Sequence, residues 1–138
     1  MALDGALLDA TVLLARTLFG FVLGYLAVGN LLSYEDTVAY ARSKGAPLAG
    51  VAVPVMSVVL LAGAASIALG AFPALGALAV IVFLLGVTPV MHDFWTLEGM
   101  DRQNEQVAFL KNVGLLAGAL FVLALSSVEW SYAVGVGL

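Results

Sequence analysis

Long runs of apolar residues, broken only by short polar connections, organise this chain. A membrane-crossing helix needs about 20 largely apolar residues, each adding 1.5 Å of rise. Four segments meet that requirement. The first runs from about Ala6 to Leu32, interrupted by Asp9 and Arg16, and the second from Pro47 to about Leu69. The third begins at Phe72, stays apolar to about Val90 and extends as a helix to about residue 95. The fourth is apolar from about Val107 to Ser127, within a helix over about 101–128. Together the spans account for nearly the whole chain, which predicts an all-α bundle of four transmembrane helices in a single membrane domain over 1–138.

The connections carry their own signals. Ser33, with Asp36 three residues on, reads as a capping box for a short helix over about 34–44. Its apolar face would be Tyr34, Val38 and Ala41, with Glu35, Arg42 and Ser43 opposite, a pattern suited to lying in the membrane interface. Gly45 supplies a stop, and Pro47 suits the first turn of the next helix. Only Gly70-Ala71-Phe72-Pro73 joins the second and third spans, which makes them an antiparallel pair. Asp101, just after Gly99, is a candidate N-cap for the last helix. Gly20-x-x-x-Gly24, Gly114-x-x-x-Gly118 and the stripe Ala62, Ser66, Gly70 are close-packing signals, expected to work inside one bundle more than between copies.

Composition sharpens the class. Of 138 residues, 63% are hydrophobic and 10% charged, against roughly 25% charged in soluble domains. So little charge leaves lipid as the solvent of most of the surface. Lys and Arg place the connections: Arg42 and Lys44 follow the first span, Arg102 and Lys111 lead into the fourth, and the termini and the Gly70 turn hold none. That bias predicts both longer connections in the cytoplasm and both termini outside, in a multi-pass protein of the cell membrane. Met1 to Asp9, with two aspartates and no Lys or Arg, does not read as a signal peptide. The net charge of −4 would also suit a salt-loving host.

Candidate chemistry gathers at two levels. Arg16, about ten residues into the first span, is an intramembrane charge with Asp9 and Glu129 as prospective partners. At the other end, His92, Asp93 and Trp95 close the third span, where Asn30, Lys111 and Asn112 are expected at the same depth. An imidazole beside a carboxylate, with an aromatic wall, suits a quinone headgroup or another small polar molecule. The bland alternative is interfacial anchoring by Trp, Lys and His. One His and no Cys exclude the usual zinc sites and bis-histidine haem ligation, so no metal is expected. No phosphate-binding glycine loop or catalytic triad is apparent, so no catalytic residue is assigned. Five basic against nine acidic residues exclude a nucleic-acid surface.

These residues resemble the DoxX family of small four-helix membrane proteins. The likeness runs from about Arg16 to Leu125: Arg16 and Gly20, Gly29-Asn30-Leu31-Leu32, Gly45-Ala46-Pro47, Gly63-Ala64-Ala65-Ser66 and Gly70. It continues through Met91-His92-Asp93-Phe94-Trp95, Phe109-Leu110-Lys111-Asn112 and Gly114 to Leu120. The resemblance implies Arg16, His92 and Asn112 as polar marks within the bundle. It also implies a place beside quinone-linked or thiol-stress oxidoreductases, without an assigned reaction for most members. Two positions depart from the family pattern. The stretch Ser57 to Gly63 lacks the acid many members carry there, and Asn30 or its apolar neighbours stand where many have Lys. The expectation is a redox-associated, quinone-linked membrane subunit without catalysis of its own, docking an oxidoreductase or another membrane subunit. The alternative is a membrane chaperone, cargo adaptor or assembly factor; a small transporter fits least, because the midplane is apolar.

Overall fold

The computed structural model describes residues 3–137; Met1, Ala2 and Leu138 lie outside the described residues. The helices are α1 (Gly5–Leu32), α2 (Tyr34–Ser43), α3 (Ala49–Leu69), α4 (Pro73–Met91) and α5 (Gly99–Leu125), with a 3₁₀ turn at Phe94–Thr96. α1, α3, α4 and α5 are each long and apolar enough to cross a membrane. At 1.5 Å per residue, α3 and α4 extend about 30 Å, the thickness of a hydrocarbon core, and α1 and α5 about 40 Å.

Small residues set the helix spacing. In α1, a side chain at Gly20 would collide with the Ala64 carbonyl and the Ala68 side chain of α3, so α1 and α3 touch backbone to backbone. Gly63 of α3 faces the Gly76 carbonyl and Val80 of α4 at a similarly close approach. α5 packs on α4 and meets α1 where Gly118 receives the Phe19 ring. The core lies between these contacts, at Leu23, Ala27, Leu60, Ala64, Ile67, Val80, Phe83, Leu84 and Ala119. Only part of the small-residue pattern contributes to it: Ala62 is exposed and Gly114 meets nothing. A residue spacing of four marks one helix face but not which neighbour lies against it.

Several boundaries differ from the sequence expectation. No capping box forms at Ser33, whose side chain makes no cap bond. Ser33 also closes α1 through its own N–H to the Gly29 carbonyl, with φ −102° and ψ 39°. That is not the extended conformation that turns a capping hydroxyl toward the next helix. Gly45 does end α2, at φ +78°, with Gly45 N–H donating to Arg42 and Ala46 N–H to Ala41, a Schellman motif. Pro47 lies ahead of α3 instead of in its first turn, because Leu48 adopts a left-handed conformation, φ +49°, before the helix starts at Ala49. α4 stops at Met91; Asp93 then accepts from the Thr96 hydroxyl through its carbonyl and its carboxylate, which starts a separate 3₁₀ turn. α5 begins at Gly99, whose φ of +61° turns the chain into the helix two residues early. Asp101 therefore sits in the first turn rather than at the N-cap. α5 also ends at Leu125, short of 128.

Two prolines inside helices behave differently. A proline has no N–H, so the carbonyl four residues earlier loses its helical donor. For Pro54 that carbonyl is Gly50, and the Tyr34 hydroxyl of α2 takes it at 2.9 Å. The proline thus opens a docking point for α2, whose Val38 and Ala41 pack on Ala49, Val53 and Met91. For Pro89 the carbonyl is Leu85, and among the described residues no side chain donates to it.

Candidate functional site

At the end of the bundle where α2 lies, ionisable groups from three elements meet. Lys44, just after α2, donates to the Asp93 carboxylate at 2.7 Å. His92 Nδ1 lies 2.7 Å from Glu105 Oε2, and the Tyr40 hydroxyl donates to Glu105 Oε1 at 2.8 Å. One carboxylate on α5 therefore ties together α2 and the end of α4. Burial pushes the Tyr40 hydroxyl above its ordinary value, and its bond to Glu105 adds to this. The bond to Asp93 raises the Lys44 ammonium, with partial burial opposing it. An open groove of about 250 Å³ beside them is lined by Tyr40, Lys44, Leu97, Asp101, Asn104 and Glu105.

The residues expected at this level do not form one constellation. His92 pairs with Glu105 rather than with Asp93, and Asp93 pairs with Lys44 rather than with Lys111. Lys111 is exposed and neither it nor Asn30 makes a side-chain bond among the described residues. Trp95 is 54% exposed and stacks edge-on with Phe94 and Phe109, at centroid distances of 5.4 and 6.1 Å. Asn112 lies deeper, donating from Nδ2 to the Thr88 hydroxyl at 3.1 Å. That pair belongs to a second open cleft, of about 210 Å³, lined by Leu84, Leu85, Thr88, Pro89, Phe109, Asn112, Val113 and Leu116. Sequence reasoning did not place Tyr40, Lys44, Glu105 and Thr88 in a site. Tyr40 and Lys44 are four residues apart, on the last turn of α2 and at its C-cap, which is the signal that they leave it from one side.

Arg16 is at the opposite end. It is 3% exposed, and it lies beside Gly70 in the α3–α4 turn, so it marks the end of the bundle instead of its middle. Neither Asp9 nor the exposed Glu129 forms an ion pair with it. Its partners come from the segment after α5: Nη2 donates to the Ser131 carbonyl at 3.1 Å and to the Tyr132 carbonyl, and the guanidinium carbon lies 5.7 Å from the Trp130 ring centroid. The segment itself is pinned to the α3–α4 turn. Val134 N–H donates to Leu69, Gly135 N–H to Gly70, and Phe72 N–H to Val136. A carboxylate near in sequence was the obvious partner for a cation; backbone carbonyls more than a hundred residues away leave no mark in the sequence.

Comparison with known proteins agrees with this architecture. The DoxX family model matches residues 11–93, more than half of the chain. The chain is also 29% identical over 122 residues to the inner membrane protein YphA of Escherichia coli (strain K12), covering 88% of this chain and 86% of that protein. No solved structure matches it. The chain belongs to the DoxX family, and its four apolar helices make it a multi-pass membrane protein.

Proposed function

We propose that this DoxX-family chain is a non-catalytic membrane subunit, a braced platform that presents a polar rim to a protein partner. The observation that carries the reading is the commitment of His92, Glu105, Tyr40, Lys44 and Asp93 to one another. A general acid or base must reach the proton it moves in a substrate; these groups instead hold α2 against α4 and α5. Around them the rim carries exposed Glu35, Asp36, Arg42, Asp101, Arg102, Gln103 and Asn104, a mixed polar surface that suits docking. The bias of Lys and Arg toward this end supports a cytoplasmic rim with both termini outside. The test is native mass spectrometry of the full chain extracted from its own membrane in mild detergent, beside an assay of the purified chain. A stoichiometric heteromeric complex and no quinone turnover by the chain alone are expected. A free monomer that reduces a quinone with a thiol or thiosulfate donor would overturn the reading.

A second reading is favoured by the α4–α5 cleft. Asn112 and Thr88 sit in otherwise apolar walls, and the Leu85 carbonyl lacks its helical donor beside Pro89. A donor amide and a spare acceptor in a lipid-facing cleft suit the head of a quinone or quinol, in keeping with a quinone-linked subunit. On that reading Asn112→Leu abolishes binding of a quinone analogue and His92→Ala leaves it intact. Equal loss in both variants would count against the cleft.

A further inference from the structure

Among the described residues, Arg16 is a buried cation without a counter-charge. Its Nε and Nη1 are buried and have no hydrogen-bond partner, so only Nη2 is engaged, by the Ser131 and Tyr132 carbonyls. Leaving a charged donor unsatisfied in the interior costs at least as much as leaving a neutral one. The segment supplying those carbonyls is itself held in less favoured geometry. Tyr132 sits at φ +55°, in the left-handed region that disfavours side chains, and its own side chain is exposed. Gly135 and Gly137 follow at φ +72° and +76°. The cover over Arg16 is therefore a short strap, held by three backbone hydrogen bonds to the α3–α4 turn and the two carbonyl contacts of Nη2, with the Trp130 ring beside the guanidinium.

We infer that residues 131–136 form a displaceable strap over an anion site, in which Arg16 receives a phosphate or carboxylate oxygen group when the strap lifts. An oxyanion satisfies a guanidinium better than two neutral carbonyls do, because charge-assisted bonds are roughly twice as strong and Arg offers paired N–H groups. A paired approach along either edge of the guanidinium uses Nη2, the nitrogen the strap occupies. Ligand and strap therefore compete for the same atom. The site lies at one end of the bundle, level with the α3–α4 turn, the depth at which lipid phosphates reach a membrane protein. A lipid headgroup and a soluble phosphate share the chemistry.

The full chain tests this in two settings: phosphate-free detergent with added inorganic phosphate, and bilayer discs of phosphatidylglycerol. Hydrogen exchange at the Val134 and Gly135 amides, which donate to Leu69 and Gly70, reports the strap. Faster exchange with the anion in wild type, and none in Arg16→Gln, is expected. A response in both settings identifies free phosphate as sufficient; a response in the discs alone identifies the lipid headgroup. Gly135→Ala supplies a second variant that keeps Arg16. An added Cβ meets nothing closer than the Ala133 carbonyl at 4.0 Å, so the change strains only the backbone of the closed strap. Apparent anion affinity should rise about five-fold, as expected when the closed state loses stability and binding needs the open one. An exchange rate indifferent to anion in wild type, an identical response in Arg16→Gln, or an unchanged affinity in Gly135→Ala would overturn the proposal.

Discussion

The two ends of the bundle handle charge in opposite ways. At the α2 end, five polar side chains from three elements satisfy one another while remaining partly open to solvent. At the other end, a single guanidinium is buried almost completely and, among the described residues, meets two neutral carbonyls and the Trp130 ring. The first arrangement stiffens: each group has a charged or strongly polar partner, and α2 cannot leave without breaking several bonds together. The second stores unmet hydrogen-bonding capacity beneath a thin cover. The presence of a charge near a membrane segment says little by itself. What surrounds it decides whether it braces the fold or waits for a ligand.

Both ends depend on the waist where α1 and α3 touch. Gly20→Val forces a Cβ against the Ala64 carbonyl and Ala68, contacts under 3 Å that require backbone movement. Overpacking of this kind costs about 1–3 kcal/mol or more. Detergent-induced unfolding should show the loss, with amide exchange rising at α2 and at the strap together. A loss confined to one end would show that the ends are not joined through α1 and α3.

Glu105→Ala leaves His92 without its acceptor and Tyr40 with only the Met91 carbonyl at 3.4 Å, and should cost about 1–3 kcal/mol. Exchange should rise in α2 and the 3₁₀ turn and stay unchanged at Val134 and Gly135. Tyr34→Phe is smaller, about 1 kcal/mol for one hydrogen bond to the carbonyl that Pro54 frees. A double-mutant cycle with Pro54→Ala sharpens it, because restoring the helical N–H gives Gly50 another donor. Tyr34→Phe should then be nearly neutral; full additivity would mean that the proline plays no part in docking α2.

A change of pH should do less than any of these substitutions. Tyr40 and Lys44 both hold their protons more tightly in the folded chain, Tyr40 chiefly through burial and Lys44 chiefly through Asp93. Their contribution is complete below the unfolded values, about 10 for both groups. It is lost as pH rises through the raised folded values. α2 should therefore loosen only in strongly alkaline buffer, and Tyr40→Phe should blunt that loosening.

Much of the fold is legible in the sequence because length and hydropathy alone demand it. Ala6 to Leu32 cannot be other than a long apolar helix, and Gly45 can hardly fail to end the short one. The pairing of side chains is less legible. Lys44 and Lys111 carry the same charge and both flank the α2 end, yet only Lys44 reaches Asp93, since the Schellman turn at Gly45 places it beside the end of α4. The strap was invisible for a different reason. Ser126 to Gly137 has no helical or strand period, and its order comes from the Leu69, Gly70 and Arg16 contacts made far away in the chain.

The most direct test of the bracing account is residue-resolved hydrogen exchange on the full chain in bilayer discs, comparing wild type, His92→Ala and Asn112→Leu. Faster exchange across Tyr34 to Ser43 is expected in His92→Ala, with the strap and the centres of α1 and α3 unchanged. Asn112→Leu, outside the brace, should leave α2 as it is. Wild-type exchange of α2 in His92→Ala would contradict it, because the His92 and Glu105 contact would then hold nothing in place.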